Sequence, residues 1–526
     1  MYLLFFSLIL LLALLAIRLA KKSGIPALLI FLTLGILFKY LGIEFNNFHV
    51  ADKIANLALM IIMFYGGFGT NWSMAKPVAA PAITLATLGV VFTAGFTGIF
   101  AHYILGLKFY EAMLLGSIVA STDFASVSNI LVSKKLNLKY KTAPLLEIES
   151  GSNDPTAYTL TMVFLCILLN RKISVPLLIF QQICFGIALG FIVGYLFIHV
   201  IKKLHLTEDG LFSVFIAAIM LGTYAITDFI GGNGYLALYI LGIYIGNKEF
   251  HHKKDVVFFY DGVTQLVEII LFFLLGLLSD PATIIHFLPL GFVLMLFMLL
   301  IARPLTVSIL MFKFKTTLRQ NLLISFAGIR GGAAIAFAIM AINAGIALNI
   351  DLFHSVFAVC LFSALIQGSL MPWVTGLLKM YDPADSVLKT FNSYQIKSGF
   401  NFITATVRDG NAWIEKTIKD LNPQFNFIIA KIERGGKTII PRGDTSIKDG
   451  DRIVLGGEAY FDYSGEELKE IRLAADHPWV GHKLKDLPIA SDQLIIMIQR
   501  DEREIITPNG DTGLVAGDRL VILEKY

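Results

Sequence analysis

Long apolar runs recur through the first 380 residues and then stop. Each is close to the ~20 residues that a helix needs to cross a hydrocarbon core. Thirteen spans are predicted, at 2–20, 26–43, 52–68, 81–106, 110–132, 142–170, 174–201, 210–230, 234–247, 256–278, 283–312, 319–346 and 352–378. The ninth is short for a full crossing. Beyond Tyr381-Asp382-Pro383 the pattern changes to short β-branched segments such as FNFIIAKIE and DQLIIMIQR, with Gly-Asp turns between them. The fold class that follows is an all-α polytopic membrane domain over 1–380, then α+β domains at about 390–460 and 461–526.

The polar residues between spans orient the chain. Loops after odd-numbered spans hold 17 Lys and Arg, and loops on the other side hold four: Lys53, Lys108, Arg171 and Lys172. Basic loops stay on the cytoplasmic side. The N-terminus is therefore expected outside the cell membrane and the tail in the cytoplasm. In the first run the positive charges Arg18, Lys21 and Lys22 follow the apolar stretch. A cleaved leader has the reverse order, so this run is read as a retained helix.

The tail repeats itself. Trp413-Ile414 through Lys419-Asp420-Leu421 matches Trp479-Val480 through Lys485-Asp486-Leu487, and Ile428-Ile429 to Arg434 matches Leu494-Ile495 to Arg500, at an offset of 66 residues. Gly443-Asp444-Thr445 and Gly450-Asp451-Arg452 recur as Gly510-Asp511-Thr512 and Gly517-Asp518-Arg519. Each copy reads as strand, short helix and strand meander.

Composition agrees with lipid as the main surrounding. Of 526 residues, 56% are hydrophobic and only 16% charged, with a mean hydropathy of +0.71; soluble domains carry about 25% charged residues. Disorder and a disulfide scaffold are excluded. A net charge of +4 gives no basic field for nucleic acid. Cys166, Cys184 and Cys360 lie in apolar runs without CxxC or Cys/His spacing, so they read as buried small hydrophobes. No HExxH, P-loop or GxSxG motif indicates an enzyme, and no cofactor is expected.

Ionisable residues at membrane depth cost at least ~2.5–3.5 kcal/mol each and are functional candidates. The fifth span carries Ser121-Thr122-Asp123, the sixth Glu147 and Glu149-Ser150-Gly151-Ser152-Asn153-Asp154-Pro155, and the twelfth Gly328-Ile329-Arg330-Gly331-Gly332. At ~1.5 Å per residue, Asp123, Asp154 and Arg330 each lie about 16–20 Å from a span end, near the midplane. Residues 149, 150, 153 and 154 share one side of a helix. Pro155 removes a backbone donor and frees a carbonyl. One arginine cannot neutralise Asp123, Glu149 and Asp154 together. A surplus buried carboxylate takes up a proton or a metal cation, and that competition is antiport chemistry. Glu147, one turn nearer the cytoplasm, reads as a vestibule residue.

These residues carry a resemblance. Glu149-Ser150-x-x-Asn153-Asp154, Ser121-Thr122-Asp123 and Gly328-Ile329-Arg330-Gly331 resemble the E-S-x-x-N-D, T-D and G-[LI]-R-G motifs of the monovalent cation/proton antiporter superfamily, in its NhaP-like branch. The resemblance implies inverted repeats with crossed broken helices, a dimerisation part and a mobile core part. It implies Asp154 as the shared carrier of a monovalent cation and a proton, Asn153 and Asp123 as its braces, and Thr122 and Ser150 as oxygen donors. It implies a structural Glu149–Arg330 ion pair, electroneutral exchange and a homodimer in lipid. One position departs: the family's third-span carboxylate before Gly-Gly is replaced in Phe64-Tyr65-Gly66-Gly67. Tyr65 brings no such charge.

The tail repeats resemble RCK C-terminal (TrkA-C) domains, which occur on potassium channels and transporters. No GxGxxG follows a strand, so the dinucleotide-binding RCK partner domain is not expected. The resemblance permits a regulatory nucleotide such as cyclic di-adenosine monophosphate. The tail favours K⁺/H⁺ exchange, with Na⁺/H⁺ exchange as the alternative. A ligand-gated K⁺ channel is the alternative of another class, and it would need a carbonyl-lined selectivity loop such as TVGYG, which is absent.

Overall fold

The computed structural model describes residues 11–12, 27–43, 45–70, 72–123, 138–201, 209–248, 250, 253–346 and 348–382. In the tail it describes 400–458, apart from 408–410, 412, 422–426 and 436, and 467–524, apart from 489–492, 501–503, 507 and 509. All but residues 11–12 of the expected first span, the fifth span beyond Asp123, and the basic loop residues Lys134 and Lys135 lie outside the described residues. The chain divides into two compact units, Met1–Ile396 and Lys397–Tyr526.

The first unit is helical. Its helices are α1 (Ala27–Tyr40), α2 (Phe48–Gly69), α3 (Lys76–Tyr103), α4 (Phe109–Val119), α5 (Thr142–Leu168), α6 (Val175–Ile201), α7 (Asp209–Phe229), α8 (Gly234–Gly246), α9 (Lys253–Leu278), α10 (Pro281–Phe314), α11 (Leu318–Phe326), α12 (Gly332–Asn343) and α13 (Leu352–Leu377). Among the described residues seven are long and apolar enough to cross a membrane, and α1, α4, α8 and α12 are shorter apolar helices. Polar side chains start several of them. Asn47, Asn233, Asp280, Thr317 and Asp351 each accept a hydrogen bond from a backbone N–H of the first turn.

Lipid tails are as apolar as leucine, so close backbone packing must hold such helices together. The α2–α8 contact shows how. A Cβ on Gly67 would lie 2.2 Å from the Tyr239 carbonyl oxygen, and one on Gly242 would lie 2.3 Å from that of Phe64. Only glycine permits this approach on both helices. Gly67 therefore serves packing, whatever stands before it.

Two of the predicted spans are interrupted, as crossed broken helices require. The fifth span stops as α4 at Val119, and Ala120–Asp123 is not helical. The twelfth is split into α11 and α12, with non-helical backbone around 328–331. Ser and Thr offer their own hydrogen bonds to nearby backbone, and Gly-rich sequence is a poor helix former. By contrast α5 runs unbroken through Pro155.

The second unit carries two sheets of one topology. In the first, β1 (Phe400–Thr406), β2 (Phe427–Arg434), β3 (Lys437–Ile439) and β4 (Arg452–Glu458) are ordered β1-β4-β2-β3. In the second, β5 (Glu467–Arg472), β6 (Gln493–Arg500), β7 (Glu504–Ile506) and β8 (Arg519–Glu524) are ordered β5-β8-β6-β7. All pairings are antiparallel, and the register slips between Ile429 and Lys431 and again between Ile495 and Met497. The repeat thus extends to a bulge. Trp413 and Trp479 pack against small cores built on Ile432 and Ile453 and on Ile498 and Leu520.

Each sheet also holds a fully buried aspartate. Arg434 donates from Nε and Nη2 to Asp451 at 2.7 Å each, and Arg500 does the same to Asp518 at 2.8 and 2.7 Å. The Arg434 hydrogen bonds hold the Asp451 carboxyl below its ordinary value of 3.8, outweighing burial. Burial pushes Asp518 up, and its bonds to Arg500 and the Val515 N–H bring it to a net value below 3.8. A depressed carboxylate contributes stability that is complete above its ordinary pKa and lost as pH falls through the folded value. Asp451→Asn is expected to lower the melting temperature of a 397–526 fragment near pH 7. Breaking a partly buried bidentate pair on one side costs about 1–3 kcal/mol. Circular dichroism melts should show the deficit shrinking as pH falls below about 4, where the aspartate of the unfolded wild type takes up a proton, and closing further as pH falls through the lower folded value.

Candidate functional site

The two interruptions meet. The Asp123 N–H donates to the Ile329 carbonyl at 2.8 Å, so the broken part after α4 is hydrogen-bonded to the broken part between α11 and α12. Gly331 makes the crossing possible: a Cβ there would sit 2.1 Å from Asp123 Oδ2. Arg330 secures it from the other side. Its Nη1 donates to the carbonyls of Ala120 at 2.5 Å and Ser121 at 2.9 Å, and its own N–H donates to Ser363 Oγ at 2.8 Å. Those two carbonyls are orphans of the terminated helix α4. A guanidinium at that end satisfies them and complements the negative pole of the helix dipole.

Helix α5 presents its polar face to this crossing. Ser121 Oγ donates to Asp154 Oδ1. Asn153 uses both ends of its amide on Thr122: Oδ1 accepts from the Thr122 N–H at 3.4 Å, and Nδ2 donates to Thr122 Oγ1. Thr122 Oγ1 also lies 3.1 Å from Ser150 Oγ. Thr122, Ser150, Asn153 and Asp154 are all buried. The structure brings together the sequence-derived residues Asp123, Thr122, Ser150, Asn153, Asp154 and Arg330 around one point. Glu147, read as a vestibule residue, is also buried.

One expectation is corrected by the geometry. Glu149 does not form its ion pair with Arg330. It accepts from Arg303 Nη2 at 3.1 Å, with both side chains at most 2% exposed. The reason is positional: Arg330 is committed to the end of α4, while Arg303 on α10 reaches the Glu149 side of α5. Gly328 clears its way, since a Cβ there would meet Arg303 Nε at 2.8 Å. Both arginines line one small cavity with Gly328 and Gln367. Arg303 was hidden in the sequence by the long apolar run around it. Its position inside a predicted span was the available signal. Ser121, the direct partner of Asp154, carries no signal in the sequence beyond its place in the break.

Among the described residues, the guanidiniums of Arg303 and Arg330 and the carboxylates of Asp123, Glu149 and Asp154 gather here. The pairs Glu149–Arg303 and Arg330–helix end are structural. Hydroxyl, amide and carboxylate oxygens converge beside Asp154, an arrangement that suits one small cation or a proton at a time. One side is closed: Tyr158, one turn beyond Asp154, packs on Tyr235 and Phe337 with ring centroids 5.0 and 5.9 Å away. Tyr235 also packs on Tyr224 and bonds to Asn56.

A family model described as sodium/hydrogen exchanger, transmembrane, matches residues 8–376. The chain belongs to the sodium/hydrogen exchanger family. A TrkA-C domain model matches the tail twice, at 402–459 and 468–523. Among curated relatives of this exchanger is the K(+)/H(+) antiporter NhaP of Alkalimonas amylolytica, 32% identical over 85% of this chain and 79% of that protein. Another is the K(+)/H(+) antiporter NhaP2 of Shewanella baltica, 33% identical over 84% of this chain and 78% of that one. The probable Na(+)/H(+) antiporter 2 of Methanocaldococcus jannaschii is 32% identical over 56% of this chain and 72% of its own length. The fold matches the solved structure of the sodium proton antiporter MjNhaP1 from the same archaeon with a TM-score of 0.63. That match is 22% identical and covers 71% of this chain and 97% of the other. The exchanger is a multi-pass membrane transporter and not an enzyme.

The corrected ion pair is testable in this exchanger. Arg303→Gln strands Glu149 in a buried site and is expected to cost about 3–5 kcal/mol. Glu149→Gln with Arg303→Gln should recover part of that loss. Thermal unfolding followed by size-exclusion fluorescence checks it. A double variant as unstable as the sum of the singles would show that the two side chains do not act as a pair.

Proposed function

We propose that this chain exchanges K⁺ for H⁺ across the cell membrane, one for one, with Asp154 as the group that both ions share. The observation that carries the reading is the crossing itself: Asp154 lies at two interrupted helices, bonded to Ser121, with Thr122, Ser150 and Asn153 linked to one another beside it. A carboxylate there is either protonated or paired with a cation, never both. Alternating exposure of that one group to the two sides gives exchange without net charge movement. The K⁺/H⁺ names of the NhaP and NhaP2 relatives support K⁺, and the archaeal relative supports Na⁺ as the second reading.

In this reading Asp154, Asn153 and Asp123 form the exchange centre, and Thr122 and Ser150 complete the cation's shell. The N-terminus lies outside and the tail in the cytoplasm, as the basic loops indicate. The domains run 1–380, 390–460 and 461–526. The protein works as a homodimer in lipid. Its tail pair regulates transport, and a nucleotide such as cyclic di-adenosine monophosphate is the ligand class to test on it.

Asp154→Asn is expected to abolish exchange and leave a folded membrane protein. Dye-quench transport in proteoliposomes, with K⁺ and Na⁺ titrated separately and a membrane potential imposed, checks both the residue and the ion. The proposal expects saturation by K⁺ and a rate indifferent to voltage. Cation-dependent proton flux at the wild-type rate in Asp154→Asn would remove Asp154 from the mechanism, and a steady current would indicate a channel.

A further inference from the structure

Helix α9 carries two carboxylates that the exchange centre does not use. Asp261 and Glu268 are two turns apart, and Thr264 and Phe272 fall on the same stripe. At 100° per residue, positions 261, 264, 268 and 272 span an arc of about 80°. Glu268 lies 10 residues before the helix ends at Leu278, about 15 Å along its axis.

The stripe faces the core of the exchanger. Phe272 lines a cavity with Asp123, Arg330 and Gly331. A Cβ on Gly332 would touch Leu271 and Phe272 at 3.0–3.3 Å, so α9 lies directly against the start of α12. Glu268, one turn from Phe272, is within electrostatic reach of both Asp123 and Asp261. At the other end of the stripe the Tyr65 hydroxyl donates to Asp261 Oδ1 at 3.1 Å. The neutral Tyr65 on α2 thus stands beside a carboxylate supplied by α9.

Two features of the stripe call for a ligand. Glu268 makes no hydrogen bond or ion pair among the described residues, although it sits well inside a spanning helix. Thr264 is only 7% exposed, and its hydroxyl has no hydrogen-bond partner among the described residues. A buried hydroxyl without a partner costs about 1–3 kcal/mol, and a carboxylate at membrane depth costs more. A cation settles both costs together, because it takes the hydroxyl and carboxylate oxygens as ligands and also screens Glu268 from Asp123.

We propose that the Asp261–Thr264–Glu268 face of α9 is a second position for the transported monovalent cation, ahead of Asp154. Glu268 is its charged ligand and Thr264 its neutral one. The proposal rests on the exchange reading above and adds a step to it. Conduction through more than one weak position lets an ion enter a low-dielectric region and still leave it.

Full-length protein in lipid nanodiscs tests this with K⁺ as the probe. Thermal stability is measured as K⁺ replaces choline at constant ionic strength, since a bound ion raises the melting temperature with its concentration. Asp154→Asn is expected to keep a K⁺-specific rise, and Asp154→Asn with Glu268→Gln is expected to lose it. Thr264→Val in the Asp154→Asn background should raise the K⁺ needed for half the effect by about tenfold. It carries the test alone should the Gln variant not fold. With Asp154 intact, Glu268→Gln should raise the half-saturating K⁺ for exchange, and Glu268→Asp should restore part of it. No K⁺-specific rise in Asp154→Asn, or an equal rise after removal of Glu268, overturns this proposal alone. A wild type that exchanges no K⁺ for H⁺ overturns the exchange reading and this proposal with it.

Discussion

The hydrogen bond from the Asp123 N–H to the Ile329 carbonyl ties two interrupted helices to each other inside an apolar bundle. Interrupted helices leave backbone groups without intrahelical partners, and in a membrane each such group costs several kcal/mol. The interruption after α4 and the one before α12 offset that cost by serving each other. Arg330 completes the exchange by donating to the Ala120 and Ser121 carbonyls. The glycine at 331 is needed for contact, since any Cβ would collide with the Asp123 carboxylate. What results is a polar point held in place by backbone geometry, against which α5 lays Ser150, Asn153 and Asp154.

The charges divide by role. Glu149–Arg303 is a buried pair whose net contribution to stability is small but whose disruption is expensive. It fixes α5 against α10. Arg330 is a helix terminator. Asn153 is spent on Thr122 with both its amide atoms and so orients the segment beside Asp154 without adding charge. Asp154 is then held by a hydroxyl, which accommodates either protonation state. In the proposed mechanism, that separation of structural from exchangeable charge lets one carboxylate change partners without unfolding its surroundings.

Much of this was legible in the chain. The apolar runs gave the helices, and the 66-residue repeat gave two units of one topology. The motif residues at equal depth gave the site, because charge inside a span is rare enough to stand out. The errors have one physical cause. Depth along a helix is readable from spacing, but which neighbour a side chain reaches depends on packing between helices. Glu149 and Arg330 lie at similar depth, so pairing them was reasonable. The sequence does not say that Arg330 is spent on the end of α4. Arg303 and Glu268 were passed over because each sits in a run whose average hydropathy is dominated by its neighbours. The end of α4 at Val119 was foreseeable from Ser121-Thr122, whereas the unbroken course of α5 through Pro155 is a case of packing overriding local propensity.

The central claim is that a proton and a cation compete for Asp154. Calorimetric titration of K⁺ into the purified protein, in two buffers with different heats of ionisation, counts the protons released as the ion binds. The account predicts that wild type releases about one more proton at saturation than Asp154→Asn, the difference expected when one carboxyl changes its bound ion. Equal proton release by the two proteins, with K⁺ bound tightly by both, would contradict it.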